Sequence, residues 1–112
     1  MSFATFDIVV VPFPYSDRLA EKRRPALVVS APALEDSLQR LWVAMITSDR
    51  GRILMGDLVI TDLDTAGLPA ASLVRTSKIA TIETERILRR TGRLSPGDIA
   101  GVTAALRTCA GF

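Results

Sequence analysis

Arg18, Lys22, Arg23 and Arg24 fall within seven residues, and the last of them stands directly before Pro25 and the apolar run Ala26-Leu27-Val28-Val29. A proline pushes the residue before it towards extended backbone. Arg24 is therefore expected at the rim of a strand, with an adjustable basic loop ahead of it. A guanidinium held there, flanked by cations, can grip a phosphodiester through its rigid fork of donors; the same pattern also describes a solvated loop whose charges aid solubility. Thr47 and Ser48 close a second apolar run, "LWVAMIT". Two hydroxyls in that place can hydrogen-bond a phosphate or a leaving oxygen, or can start a turn with their own backbone. Arg75 emerges from a third apolar stretch and is followed by Thr76, Ser77 and Lys78; it either pairs with a carboxylate or faces a cleft. Asp17 and Glu21 are the carboxylates of the basic loop. Glu21 is the candidate proton acceptor, although a carboxylate among arginines stays ionised and is a weak base, and it can equally pair with Lys22 or Arg18.

Composition narrows the chemistry further. The chain has no histidine, which excludes zinc sites with ordinary ligand sets and Ser-His-Asp or Cys-His triads; neither a metal nor a cofactor is expected. Its one cysteine, Cys109, allows no intrachain disulfide and is read as a packing residue on a helix face. With no signal peptide and no apolar run of about 18 residues, the expected location is the cytoplasm, away from membranes. The net charge is only +2, but twelve of the fourteen cations are arginine, which favours an anionic partner. Only six residues are aromatic, so a stacking platform for bases is not expected.

The elements that must position these groups are short. A chain of 112 residues reads as one domain. Asp7 to Phe13, Pro25 to Ser30 and Leu41 to Thr47 are β-branched or apolar runs closed by turn chemistry, and read as strands. "APALEDSLQR" between the last two is a short helical turn or a wide loop. Leu58 to Thr61 and Ala71 to Arg75 are shorter strand-like pieces. Lys78 to Ile82 is ambiguous, and Ile87 to Leu94 leans to strand because Thr91-Gly92 would weaken a helix. Ser95-Pro96-Gly97-Asp98 has the form of a capping box, and Ile99, Val102, Leu106 and Cys109 then recur at helical spacing. Trp42 and Met45 are read as core. Several short strands and a terminal helix predict a mainly β fold, a small, strongly curved barrel with helical additions.

"FDIVVVPFPYSD…RRPALVVSAP", "VAMITSD", "ASLVRTSKIATIE" and "GRLSPGDIAGVTAALRT" occur in an order that resembles the MazF/PemK-type toxins of toxin–antitoxin systems across almost the whole of residues 1–112. The resemblance implies an SH3-like β-barrel with a C-terminal helix, paired as a homodimer. It also implies a metal-independent endoribonuclease, cutting single-stranded RNA at short sequences through attack of the 2′-hydroxyl, and a cognate antitoxin that masks the site. Carried over by position, Arg24 stabilises the charged phosphorane, Thr47 and Ser48 hold the scissile phosphate, and Arg75 supplies acid or charge-stabilising work, the latter being preferred because a guanidinium scarcely releases its proton. Arg18, Lys22, Arg23, Ser77 and Lys78 are the expected substrate contacts. The sequence departs from the family where Phe6 precedes Asp7 in place of glycine, where cations follow Glu21, and where Ser77 stands at a position that PemK-like members give to an acid. Two rival readings are a CcdB-like gyrase poison that acts through protein contacts, and a barrel that binds RNA or antitoxin without cutting.

Overall fold

Successive residues of the apolar runs are sent to opposite sides of one sheet, as the strand period of two requires. The computed structural model describes residues 2–13 and 22–112. Its strands are β1 (Asp7–Phe13), β2 (Lys22–Val28), β3 (Arg40–Ser48), β4 (Asp57–Val59), β5 (Ser72–Glu83) and β6 (Arg89–Arg93). Helix α1 (Pro32–Leu38) joins β2 to β3, α2 (Leu63–Ala66) joins β4 to β5, a 3-10 turn at Thr84–Arg86 precedes β6, and α3 (Pro96–Ala110) ends the chain. The described strands form one antiparallel sheet in the order β4-β5-β3-β2-β1-β6. Between its two outer strands the sheet is open, so the architecture is barrel-like without full closure.

Both faces of the sheet are buried, which is why its central strands read as nearly continuous apolar runs. Val9, Val11, Ala26, Val28, Val43 and Met45 fill one side, with Phe3 and Ile82. Ile8, Leu27, Ala44, Ile46 and Val74 fill the other, against Val102 of α3 and Ile60, Ala66 and Leu68. Ile99 and Leu106 add to that second cluster from α3. Each fully buried aliphatic side chain contributes roughly 1.5–3 kcal/mol, so removing one from the centre of β3 is felt in the core on the side it fills.

Two irregularities curve the sheet. Ala44 pairs with Ile79 but Met45 pairs with Arg75, so Thr76, Ser77 and Lys78 leave the ladder. Ile8 pairs with Gly92 but Val9 with Arg90, a one-residue bulge that adds twist. Gly92 serves a second purpose there, because a Cβ on it would collide with the backbone of Thr65 and Ala66. The strand at 89–93 thus approaches α2 as closely as a side-chain-free residue allows.

Several sequence expectations change in detail. The second strand starts at Lys22, ahead of Pro25, and ends at Val28. The stretches 71–75 and 78–82 are one twelve-residue strand interrupted by the bulge. "APALEDSLQR" holds a true short helix, closed by Gln39 in the left-handed conformation. The N-cap of α3 is Ser95, whose Oγ accepts from Asp98 N at 3.4 Å. The second half of the capping box is not made. Asp98 instead turns to the neighbouring loop and accepts from Thr61 N (2.9 Å), Thr61 Oγ1 (2.8 Å) and Asp62 N (3.4 Å). Met45 is buried, but Trp42 is 50% exposed. Its place on β3 faces the α3 side, where Phe6, Val29, Ile79, Leu106 and Phe112 surround an apolar hollow of about 470 Å³ that the helix does not fill. Cys109 is an exposed residue, with its Sγ nevertheless 3.5 Å from Thr76 Oγ1.

Candidate functional site

Strand alternation carries three of the predicted residues to one end of one side. Arg24 continues the Val28-Ala26 series on β2, Thr47 continues Val43-Met45 on β3, and Arg75 is the β5 partner of Met45. In the β2–β3 ladder Val28 pairs with Val43, Leu27 with Ala44 and Ala26 with Met45; continued for two residues, the same register sets Arg24 opposite Thr47. The three side chains meet in a hollow of about 340 Å³ lined by Arg24, Thr47, Ser48, Arg50, Arg52 and Arg75. Four guanidiniums and two hydroxyls face one small space. Such a site favours an anion with several oxygens, because each guanidinium presents planar forks of N–H donors and each hydroxyl one more.

The arginines are not equivalent. Arg24 lies partly buried in β2, and its Nε is shielded from solvent with no hydrogen-bond partner among the described residues. Leaving such a donor unpaired costs about 1–3 kcal/mol, more when the group is charged. An acceptor that entered the hollow and reached this donor would remove that cost. Arg75 has a permanent counter-ion, since Nε and Nη2 donate to Oδ1 and Oδ2 of Asp57 at 3.0 and 2.9 Å. Asp57 and Arg75 are direct cross-strand partners of β4 and β5. The Asp57 side chain is wholly buried while that of Arg75 remains 22% exposed. Hydrogen bonding to Arg75 holds the Asp57 carboxyl below its usual range; burial works against this, and the bond from Leu54 N–H assists it. The same hydrogen bond with Asp57 raises Arg75 above its ordinary value. Arg75 therefore both pairs with a carboxylate and faces a cleft, and it acts as a fixed cation.

The segment after β3 supplies the remaining cations. Gly51 N–H donates to Asp49 Oδ1 at 3.0 Å, a tight turn that separates Arg50 from Arg52 while both line the hollow. Neither arginine, nor Asp57, is singled out by the sequence reading. "SDRGR" directly after an apolar strand carries the usable signal, turn residues interleaved with cations; Asp57 carries none, because its role depends on β4 pairing with β5. Gly56, before it, has a left-handed φ of 86°, and a Cβ there would strike Cys109 Sγ and Thr76 Oγ1.

Other expected contacts lie elsewhere. Lys22 and Arg23 are exposed at the start of β2, opposite Phe13 and Pro12, and do not line the arginine hollow. Ser77 sits in the bulge of β5 and lines a different hollow with Met55, Ile79, Leu106 and Cys109; Lys78 follows it in the same bulge. Thr76 anchors that bulge by donating to Gly56 O at 2.6 Å, and none of residues 76–78 lines the arginine hollow. Arg18, Asp17 and Glu21 lie outside the described residues.

A family model for the PemK-like, MazF-like toxin of type II toxin–antitoxin systems matches residues 4–109. A search of the curated proteins found no significant match. Among solved structures, an endoribonuclease in complex with its cognate antitoxin from a mycobacterial species superposes with a TM-score of 0.82 at 17% identity, over 99% of this chain and 97% of that one. MazF from Deinococcus radiodurans gives 0.81 at 18% identity, over 100% and 99%. The Mycobacterium tuberculosis toxin MazF-mt6 gives 0.76 at 21% identity, over 95% and 97%. These likenesses establish the fold.

Proposed function

The chain belongs to the PemK-like, MazF-like toxins of type II toxin–antitoxin systems, and from that membership we propose that it is a sequence-specific, metal-independent endoribonuclease. Its substrate is single-stranded RNA, and it acts in the cytoplasm as a homodimer that a cognate antitoxin neutralises. The observation that carries this reading is the meeting of Arg24, Thr47 and Arg75 in one hollow. An open site lined by guanidiniums and hydroxyls suits a single strand, whose backbone can bend into it, better than a duplex. An acidic antitoxin segment would be drawn to the same charge.

In the proposed reaction the ribose 2′-oxygen forms a bond to the adjacent phosphorus and the bond to the 5′-oxygen breaks, which leaves a 2′,3′-cyclic phosphate and a 5′-hydroxyl. The 2′-proton passes to a carboxylate, for which Glu21 is the candidate, or to water, and the departing 5′-oxygen takes up a proton from solvent. Negative charge grows on the non-bridging oxygens as the phosphorane forms. Arg24 meets it with a donor that has no other described partner, and Arg75 adds a cation already fixed in place. Thr47 and Ser48 hold the scissile phosphate, and Arg50 and Arg52 take its neighbours. Fixed donors of this kind are worth about 10²–10³ in rate each.

Purified protein incubated with a long single-stranded RNA in EDTA is expected to yield discrete fragments with 5′-hydroxyl ends. Arg24→Ala should lower the rate at least about a hundredfold with an unchanged circular dichroism spectrum. RNA that stays intact with the wild-type protein would refute the nuclease; tight binding of that intact RNA would then favour a non-cutting barrel.

A further inference from the structure

Asp57 has no part in the chemistry above, yet two pieces of the site, Arg75 and the segment that ends at Leu54, meet on its carboxylate. Its two oxygens hold Arg75 by Nε and Nη2 at 3.0 and 2.9 Å. Oδ2 also accepts the Leu54 N–H at 2.8 Å, and Leu54 ends the short stretch that leaves Arg50 and Arg52 at the hollow. A guanidinium on an ordinary side chain samples many rotamers; one gripped by two parallel bonds to a buried carboxylate has its plane fixed. Two of the five N–H groups of Arg75 are engaged by Asp57, and the guanidinium still lines the hollow.

We propose that Asp57 is the positioning residue of this site: a buried carboxylate on β4 that orients Arg75 towards the bound phosphate and, through the 54–57 turn it closes, anchors the end of the segment that carries Arg50 and Arg52. The proposal takes its assay from the nuclease reading but stands on its own geometry. Asp57 is no proton carrier, since its oxygens are occupied by a guanidinium and a backbone N–H. Its effect must therefore pass through the groups it holds, and the two parts of that effect separate. Asp57→Asn keeps an oxygen at the Oδ2 place for Leu54 N–H and Arg75 Nη2 but sets an amide NH2 against Arg75 Nε, so the hold on Arg75 loses its charge and one of its two bonds while Leu54 stays held. Asp57→Ala releases both.

Steady-state cleavage of a single-stranded RNA by Asp57→Asn is expected to show kcat down about tenfold, the scale of one charge-assisted hydrogen bond, with KM within about twofold of wild type. Asp57→Ala should add a several-fold rise in KM as the turn loosens. In a double-mutant cycle, Asp57→Asn on top of Arg75→Gln should cost nothing further, because the residue it acts through is already gone. Asp57→Asn at wild-type kcat, or a double variant slower than Arg75→Gln by the full single-variant factor, overturns the proposal. NMR of the wild-type protein gives a readout that needs neither cleavage nor a folded variant. The Arg75 Nε–H resonance should exchange slowly with solvent, and rapid exchange there also overturns the proposal. If the wild-type protein cuts no RNA, the nuclease reading fails by itself, and the Nε–H signal decides the role of Asp57.

Discussion

Asp57 keeps its charge with its side chain shielded from water chiefly because Arg75 bonds to both of its oxygens, and this makes the pair a pH-dependent source of stability. The folded carboxyl lies below its ordinary value, for the reasons of hydrogen bonding given above, so the unfolded chain binds its proton more readily. The contribution is then complete above the unfolded pKa of about 3.9 and is lost as pH falls below it, through the folded value. Urea unfolding of wild type and Asp57→Asn should accordingly differ most at neutral pH and converge as pH falls below about 4. Asp62 is also held low, first by the Thr65 hydroxyl, but it is common to both proteins and cancels from the difference. A gap that stays constant down to pH 2 would mean that the Asp57 charge does not stabilise the fold. Of the residues that line the hollow, Arg24, Thr47, Ser48 and Arg75 were legible in the sequence because each ends or leaves an apolar run. Asp57 was not, since a carboxylate eighteen residues from its arginine gains meaning only from the register of β4 on β5.

At the scale of elements, local signals marked where strands and helices exist and tertiary contacts decided where they stop. The alternating cores explain why "LWVAMIT" could be read as a strand but not which of its residues stay wet: Trp42 and Ala44 point to the same side, and only Ala44 is covered by packing. Helix α3 shows the same division. Its start is written in Ser95-Pro96, while Asp98, expected to close a box within the helix, is drawn away by the backbone of Thr61 and Asp62. Asp98 is buried and joins the first turn of α3 to the connection that follows β4. Asp98→Ala should therefore cost about 1.5–3 kcal/mol, the range for hydrogen bonds to a charged group, whereas Ser95→Ala, whose cap bond is 3.4 Å long, should cost nearer 0.5–1 kcal/mol. Chemical denaturation of the two variants checks the order. The reverse ranking would return Asp98 to the local role that its spacing implied.

For the whole molecule, charge and apolar surface are placed apart. The net charge of +2 conceals the four arginines of the hollow at the Thr47 end of β3. Towards the other end of the same strand stand Trp42 (50% exposed), Ile79 (45%) and Phe112 (91%), three large apolar side chains at one hollow. Trp42 and Thr47 are five residues apart, about 17 Å along a strand. A second copy seated on the apolar hollow would cover surface that otherwise costs free energy in water while leaving the arginines open to RNA. The proposed homodimer is therefore expected to use the side that carries Trp42. Sedimentation equilibrium should give twice the 12.1 kDa chain mass for the wild-type protein and the single-chain mass for Trp42→Glu, because a carboxylate at the centre of an apolar contact cannot be desolvated without a partner. Retention of the doubled mass by Trp42→Glu would move the interface to another surface, and a wild-type monomer would remove the dimer from the reading altogether. In the Trp42→Glu monomer the arginine hollow is built entirely from one chain, so any loss of cleavage would show that the partner copy helps to hold the RNA.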